Sequence, residues 1–226
     1  APSTRGWGAE RAGAQPVKSR GAGGVIPAFW GLWTRRGVPN LLQLAKALVF
    51  FGNRRYPRAT GQLLRMCMQL GVEVLFIPVR EPWRNSLVEK FNDHWNKKFY
   101  RRATLGSFDV LRAKALNFEH RHNSRWRYSK LNGRTPAQAL AASSIVPRFP
   151  SQPTPPSMPF AKPTQGRVHF VRFIRSDGCL EIFGQRFQLP SEATYEYVQA
   201  TVDISTQRLT VSLQNQIIER LPYRLS

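Results

Sequence analysis

The sequence predicts an α/β domain followed by a small all-β barrel. Three observations predict it. Through residue 146, apolar runs of strand length alternate with longer runs at helical spacing. Between 147 and 164 the prolines Pro147, Pro150, Pro153, Pro155, Pro156, Pro159 and Pro163 crowd together, which dictates extended backbone and a semi-rigid spacer. Beyond it the period changes from helical to alternating, as in strands.

Residues 1–24 are Gly-, Ala-, Ser- and Arg-rich with few large apolar groups, and are expected to be a disordered basic tail. The run 25–33 (VIPAFWGLW) is expected to be helical despite Pro27, Gly37 to Asn40 to turn, and 41–44 to form a short buried strand. Leu63, Leu64, Cys67 and Leu70 repeat at helical spacing and Gly71 stops them; 72–77 (VEVLFI) is rich in strand formers. The clearest helix spans 85–99, where Leu87, Phe91 and Trp95 recur every fourth residue, joined by Val88 and Phe99. A second spans 107–118 with Ser107 as N-cap. Thr135-Pro136 begins a short third, Thr as cap and Pro at its first position. After the spacer, strands are expected at 167–174, 180–189, 195–203 and 208–213, with Asp177-Gly178 as a hairpin turn. The domains expected are thus a tail (1–24), an α/β core (25–146), a linker (147–165) and a barrel (166–226).

Composition narrows the partner. Thirty-four Lys and Arg stand against 13 Asp and Glu, a formal net charge of +21 in 226 residues. Such a domain repels itself unless a polyanion neutralises it, and the phosphates of nucleic acid do so with release of counterions. No apolar run is long enough to span a bilayer, so no membrane partner is expected. Cys67 and Cys179 have apolar neighbours and fall in separate domains, which suggests core thiols in a reducing compartment. No signal peptide is visible. A bacterial cytoplasm, with the chain associated with the nucleoid, or a nucleus suits these features.

The segment Phe76 to Asn92 reads FIPVREPWRNSLVEKFN. Within it, Pro82-Trp83-Arg84-Asn85-Ser86-Leu87-Val88-Glu89-Lys90-Phe91-Asn92 resembles the stretch around the last acidic residue of DDE-type transposases and retroviral-type integrases, typically Pro-Trp-x-Asn-Gly-x-Val-Glu-Arg-Phe-Asn. The likeness continues through Arg121-His122-Asn123 and the run from Lys130 to Pro136, and covers roughly residues 25–226. It implies a partial ribonuclease H-like core with a Mu-transposase-like C-terminal barrel, in an N-terminally truncated member of a mobile-element family. It also implies Mg²⁺: three carboxylates hold two ions that activate the attacking oxygen and stabilise the leaving one.

Glu89 falls on the catalytic and metal-ligating Glu position of that pattern. The second acidic position falls on Ala45 in Gly37-Val38-Pro39-Asn40-Leu41-Leu42-Gln43-Leu44-Ala45-Lys46, and no acidic residue in a strand context precedes it. A methyl group ligates no metal, and the Lys46 ammonium repels one. The expectation is a DNA-binding remnant with a vestigial Glu89 that does not hold Mg²⁺ by itself. Two alternatives stand beside it. One is an active strand-transferase completed by another subunit or by upstream sequence; the other is a general RNA-binding basic protein. A homo-oligomer or a full-length transposase is a conceivable protein partner.

The candidate DNA-binding residues are Arg84, Lys90, Lys97, Lys98, Arg101, Arg102, Arg121, Arg125, Arg127 and Lys130, with Trp126 and Tyr128 available either to stack on distorted ends or to pack in a core. The bland alternative is a solvated charged face, with Asp93 offsetting Lys97. Arg167, Arg172, Arg175 and Arg186 form a second candidate surface. His94, His120, His122 and Cys67 match no standard zinc spacing and are expected at the surface or in a groove, apart from the thiol.

Overall fold

A computed structural model describes residues 13–19, 21–44, 58–78, 81 and 86–225, without the side chains of residues 86–90. Ala45, Arg84 and the Pro82–Asn85 stretch of the motif lie outside the described residues, as do the side chains of Glu89 and Lys90. The chain divides into two compact units. The first takes Gly23–Val38 and Asn85–Thr154 with the described residues up to Ser19; the second takes Pro39–Arg84 and Pro155–Ser226 with the short stretch Arg20–Ala22.

The second unit is built on a mixed sheet. Strands β1 (Leu41–Leu44), β2 (Glu73–Phe76) and β3 (Arg167–Phe173) pair in parallel, Leu41 opposite Glu73 and Val74 opposite Val168. Two further strands, β4 (Cys179–Ile182) and β5 (Gln185–Gln188), form a separate hairpin. The remaining strands β6 (Tyr197–Asp203), β7 (Arg208–Leu213) and β8 (Gln216–Pro222) follow β3 as an antiparallel meander, giving the order β1-β2-β3-β6-β7-β8.

The expected closed barrel does not form among the described residues. Closure requires β8 to return to the free edge of β3, and that edge is occupied by β2, so the meander extends the sheet instead. The core follows the two-residue period. Val74, Phe76, Val168, Phe170, Val198, Ala200, Val202, Leu209 and Val211 are buried on one face, with Phe76 stacked on Phe170 at 5.3 Å between ring centroids. Helix α2 (Gln62–Gln69) buries Leu63, Leu64, Met66, Cys67 and Met68, and Phe183 of the β4–β5 turn meets Phe170 edge-on at 5.3 Å.

Two hairpins depart from the sequence reading. The run 180–189, expected as one strand, is split by Phe183-Gly184 with φ of 46° and 76°, both left-handed as in a two-residue primed turn. Strand β8 was not anticipated. It is reached through Gln214-Asn215, again both at positive φ, though only Asn carries a turn signal. Cys179 is only half-buried and its thiol faces the Gln188 amide oxygen at 3.3 Å, so it is not the core thiol expected; Cys67 is buried, and burial raises its pKa to about 12.

In the first unit, α1 (Ala22–Arg36) runs through Pro27 and buries Ile26, Trp30 and Trp33, one stripe of an amphipathic helix. The expectation of a disordered tail over 1–24 does not hold for its described residues, 13–19 and 21–24. Ala14 is buried, and its amide N–H donates to Glu119 Oε2 at 2.8 Å. Helices α3 (Ser86–Lys98), α4 (Phe108–Arg125) and α5 (Pro136–Ala141) complete the unit. Ser107 caps α4 by accepting from the Val110 amide at 3.2 Å, and Thr135 and Gln138 form a reciprocal capping box on α5.

The proline-rich segment bends at residues 151–154, 158–159 and 164–165 where an extended spacer was expected, and each end is held within its own unit. Val38 bridges Arg148 and the Trp30 indole donates to Gln152 O at 3.1 Å. Phe160 is buried, its N–H donating to Gln62 Oε1 at 2.7 Å and its carbonyl accepting from Arg65 at 3.0 Å. No helix among the described residues is long and apolar enough to cross a membrane.

Candidate nucleic-acid interface

The candidate interface lies in the first unit and is organised by aromatic packing. Along α3, Phe91, Trp95 and Phe99 recur every fourth residue and meet Phe118 of α4 at 5.9, 5.4 and 5.5 Å between centroids. His122, one turn beyond Phe118, meets Phe91 at 5.0 Å and Trp126 at 4.8 Å. His94 stands edge-on to Trp126 at 4.4 Å. The hydroxyl of Tyr128 shares a 2.8 Å hydrogen bond with His122 Nε2. Burial, with His94 nearby, lowers the His122 pKa to about 4, so the imidazole is neutral across the physiological range.

This packing fixes where the cations emerge. Lys97, Lys98, Arg101 and Arg102 are exposed at the end of α3 and in the 3-10 turn Tyr100–Arg102 after it. Arg121 and Arg125 are exposed on α4, and Arg127 and Lys130 in the following loop. A shallow open cleft of about 440 Å³ is lined by His94, Lys98, Arg125, Trp126, Arg127 and Tyr128. Two basic clusters separated by more than twenty residues in sequence thus contribute to one concavity, and none of its lining residues is acidic.

The structure sorts the sequence candidates. Lys98, Arg125 and Arg127 line the cleft with both aromatic candidates; Arg127 also donates to Gly133 O at 3.1 Å. Lys97 pairs with Asp93 at 2.8 Å between exposed side chains, the offset anticipated from their spacing. Arg101, Arg102, Arg121 and Lys130 are exposed outside the cleft lining. His94 lines the groove as expected and His120 is exposed, whereas His122 is buried, because its ring completes the aromatic cluster. The second candidate surface is largely committed within its own unit. Arg167 pairs with Asp203 at 3.1 Å and Arg186 with Asp177 at 2.6 Å. Arg172 lies over Phe170 and donates to backbone carbonyls at Phe76 and Val171, burial lowering its pKa to about 10. Arg175 is exposed.

Sequence reasoning missed Glu119. It is 1% exposed on α4 and accepts from Arg36 Nε at 2.7 Å, from Arg36 Nη2, and from the Ala14 amide, with Arg35 at 3.6 Å. A lone Glu at the edge of an apolar stripe gives little signal. The adjacent Arg35-Arg36 pair at the end of α1 was the available clue, without a partner assigned. Among the described residues no group of three or more His, Cys, Asp or Glu is arranged to hold a metal ion. The sheet carboxylates Glu73 and Asp203 instead face Arg167 and His169.

No known family's model matches the chain, and no curated protein matches it.

Proposed function

We propose that this chain binds DNA through its phosphate backbone, as a transposase- or integrase-like protein that lacks strand-transfer activity of its own. One observation carries the DNA reading: cations from two distant segments, Lys98 at the end of α3 and Arg125 at the end of α4 with Arg127 just beyond it, line a cleft with no acidic residue. Exposed Arg101, Arg102, Arg121 and Lys130 on the same elements widen the cationic field. The family reading rests on the motif around Glu89 and is supported by its local order, strand β2 followed by helix α3 carrying Glu89. A ribonuclease H-like core remains part of this proposal, as does Mg²⁺ as the family's cofactor. The inactivity follows from Ala45 at the position where that pattern has a carboxylate.

The test is duplex binding against salt. Each neutralised phosphate contributes about −0.9 to the slope of log K against log salt. Converting Lys98, Arg125 and Arg127 together to Ala is expected to flatten that slope by roughly 2.5 to 3. An unchanged slope, or structured RNA bound more than about tenfold tighter than duplex DNA, overturns the proposal. Nicking of duplex DNA in Mg²⁺ or Mn²⁺ that is lost in Glu89→Gln overturns the inactivity.

A further inference from the structure

We propose that the cleft beside Trp126 receives an unpaired nucleobase of a DNA end, stacked on the indole, while Lys98, Arg125 and Arg127 hold the flanking phosphates. This rests on the DNA-binding reading and names the form of DNA the cleft selects. Trp126 is half-buried, and its ring contacts are Phe118 at 5.6 Å, His122 at 4.8 Å and His94 at 4.4 Å. These hold the indole in place while it still lines the cleft. Tyr128, also in the lining, has its hydroxyl engaged by His122 Nε2. The aromatic surface is therefore preorganised, and little side-chain entropy remains to be lost on binding.

Trp95 provides the internal contrast. It packs against Phe99 at 4.3 Å and Phe118 at 5.4 Å and takes no part in the cleft. Core packing alone accounts for Trp95; it leaves unexplained why Trp126 is offered to a cleft ringed by three cations. In the interior of a duplex both faces of each base are covered by neighbours, so a base face is open to the indole only at an end, and an overhang presents one free of its pairing partner and narrow enough to enter between the cations. Base–aromatic stacking of this kind is tolerant of sequence and strengthened by adjacent Arg.

The experiment compares three ligands that share one duplex, on the whole chain, by fluorescence anisotropy at fixed salt: the blunt duplex, the duplex with a short thymine overhang, and the same overhang made abasic. Stacking predicts that the thymine overhang binds at least about fivefold tighter than the blunt duplex, and that the abasic overhang loses this advantage. Equal binding of thymine and abasic overhangs overturns the proposal, since the phosphates are the same in both. Trp126→Ala is expected to abolish the difference between thymine and abasic overhangs, and Trp126→Phe to keep most of it. A Trp126→Ala chain that still discriminates thymine from abasic overhangs places the base elsewhere and overturns the assignment. Should Trp126→Ala fail to fold, the abasic comparison on the unaltered chain and Trp126→Phe decide. Loss of all blunt-duplex binding with thymine discrimination intact sinks the duplex reading and leaves the base cleft standing; loss of both overturns both.

Discussion

At the scale of single residues, two of the first unit's buried polar groups, Glu119 and His122, have measurable consequences. Glu119 collects the Arg36 guanidinium and the Ala14 amide at a nearly fully buried carboxylate. Removing one partner of such a pair strands the other, which costs more than the pair contributes. Glu119→Ala is therefore expected to lower unfolding free energy by about 3 kcal/mol, read from urea denaturation. His122 makes a prediction in pH. Its pKa is near 4 in the folded chain and about 6.5 when unfolded, so between those values the unfolded chain binds the extra proton. The contribution of neutral His122 is fully present above about pH 6.5 and is lost as pH falls towards 4. The urea midpoint should drop between pH 7 and pH 5, and His122→Phe should flatten that limb. Neither role was legible in the sequence: a Glu and a His on a basic helix look solvated until the ring cluster and the Arg35-Arg36 end of α1 are brought against them.

At the scale of elements, periodicity located the helices well and failed where the residue type changed without a change in burial. Helix α4 was expected to stop at Phe118, the last apolar member of its stripe. It continues to Arg125 because Glu119, His122 and Asn123 keep the same spacing and are buried as polar groups with partners inside the unit. The caps were legible, since Ser107 and Thr135-Pro136 bear direct backbone meaning. Thr135→Ala should cost about 1 kcal/mol, measured by thermal unfolding, through loss of the capping box. Hairpin turns were harder. Asp177-Gly178 announced itself, whereas Phe183-Gly184 and Gln214-Asn215 hide their left-handed first residues behind side chains that seldom adopt that conformation. Gly184→Val should destabilise the β4–β5 hairpin by about 1 to 2 kcal/mol; an unchanged melting temperature would contradict the turn.

At the scale of the whole molecule, the strands after the proline-rich segment were expected to close on themselves, and the reason they do not is a long-range pairing that no local pattern encodes. The edge of β3 that a barrel would need is matched by β2, whose sequence of strong strand formers gives no hint of which neighbour it will find. The consequence is measurable. A fragment of residues 147–226 should lack the cooperative unfolding of the full chain, because it exposes the edge of β3 that β2 pairs. A sharp, reversible melt of that fragment at the full-length temperature would refute this. The net charge of +21 was legible from composition alone, yet which cations act together depended on aromatic packing that gathers Lys98 with Arg125 and Arg127.

The same pairing has a cost in time. The chain passes between the units repeatedly, at residues 38–39, 84–85 and 154–155 among other places, so neither unit is one continuous stretch. Strand β2 leaves the ribosome roughly 90 residues before its partner β3, a wait on the order of 5 to 20 s at ordinary elongation rates. Throughout that interval one hydrogen-bonding rim of a strongly apolar strand stands without its native mate, which makes the nascent polypeptide a natural client for chaperones that shield unpaired β-structure.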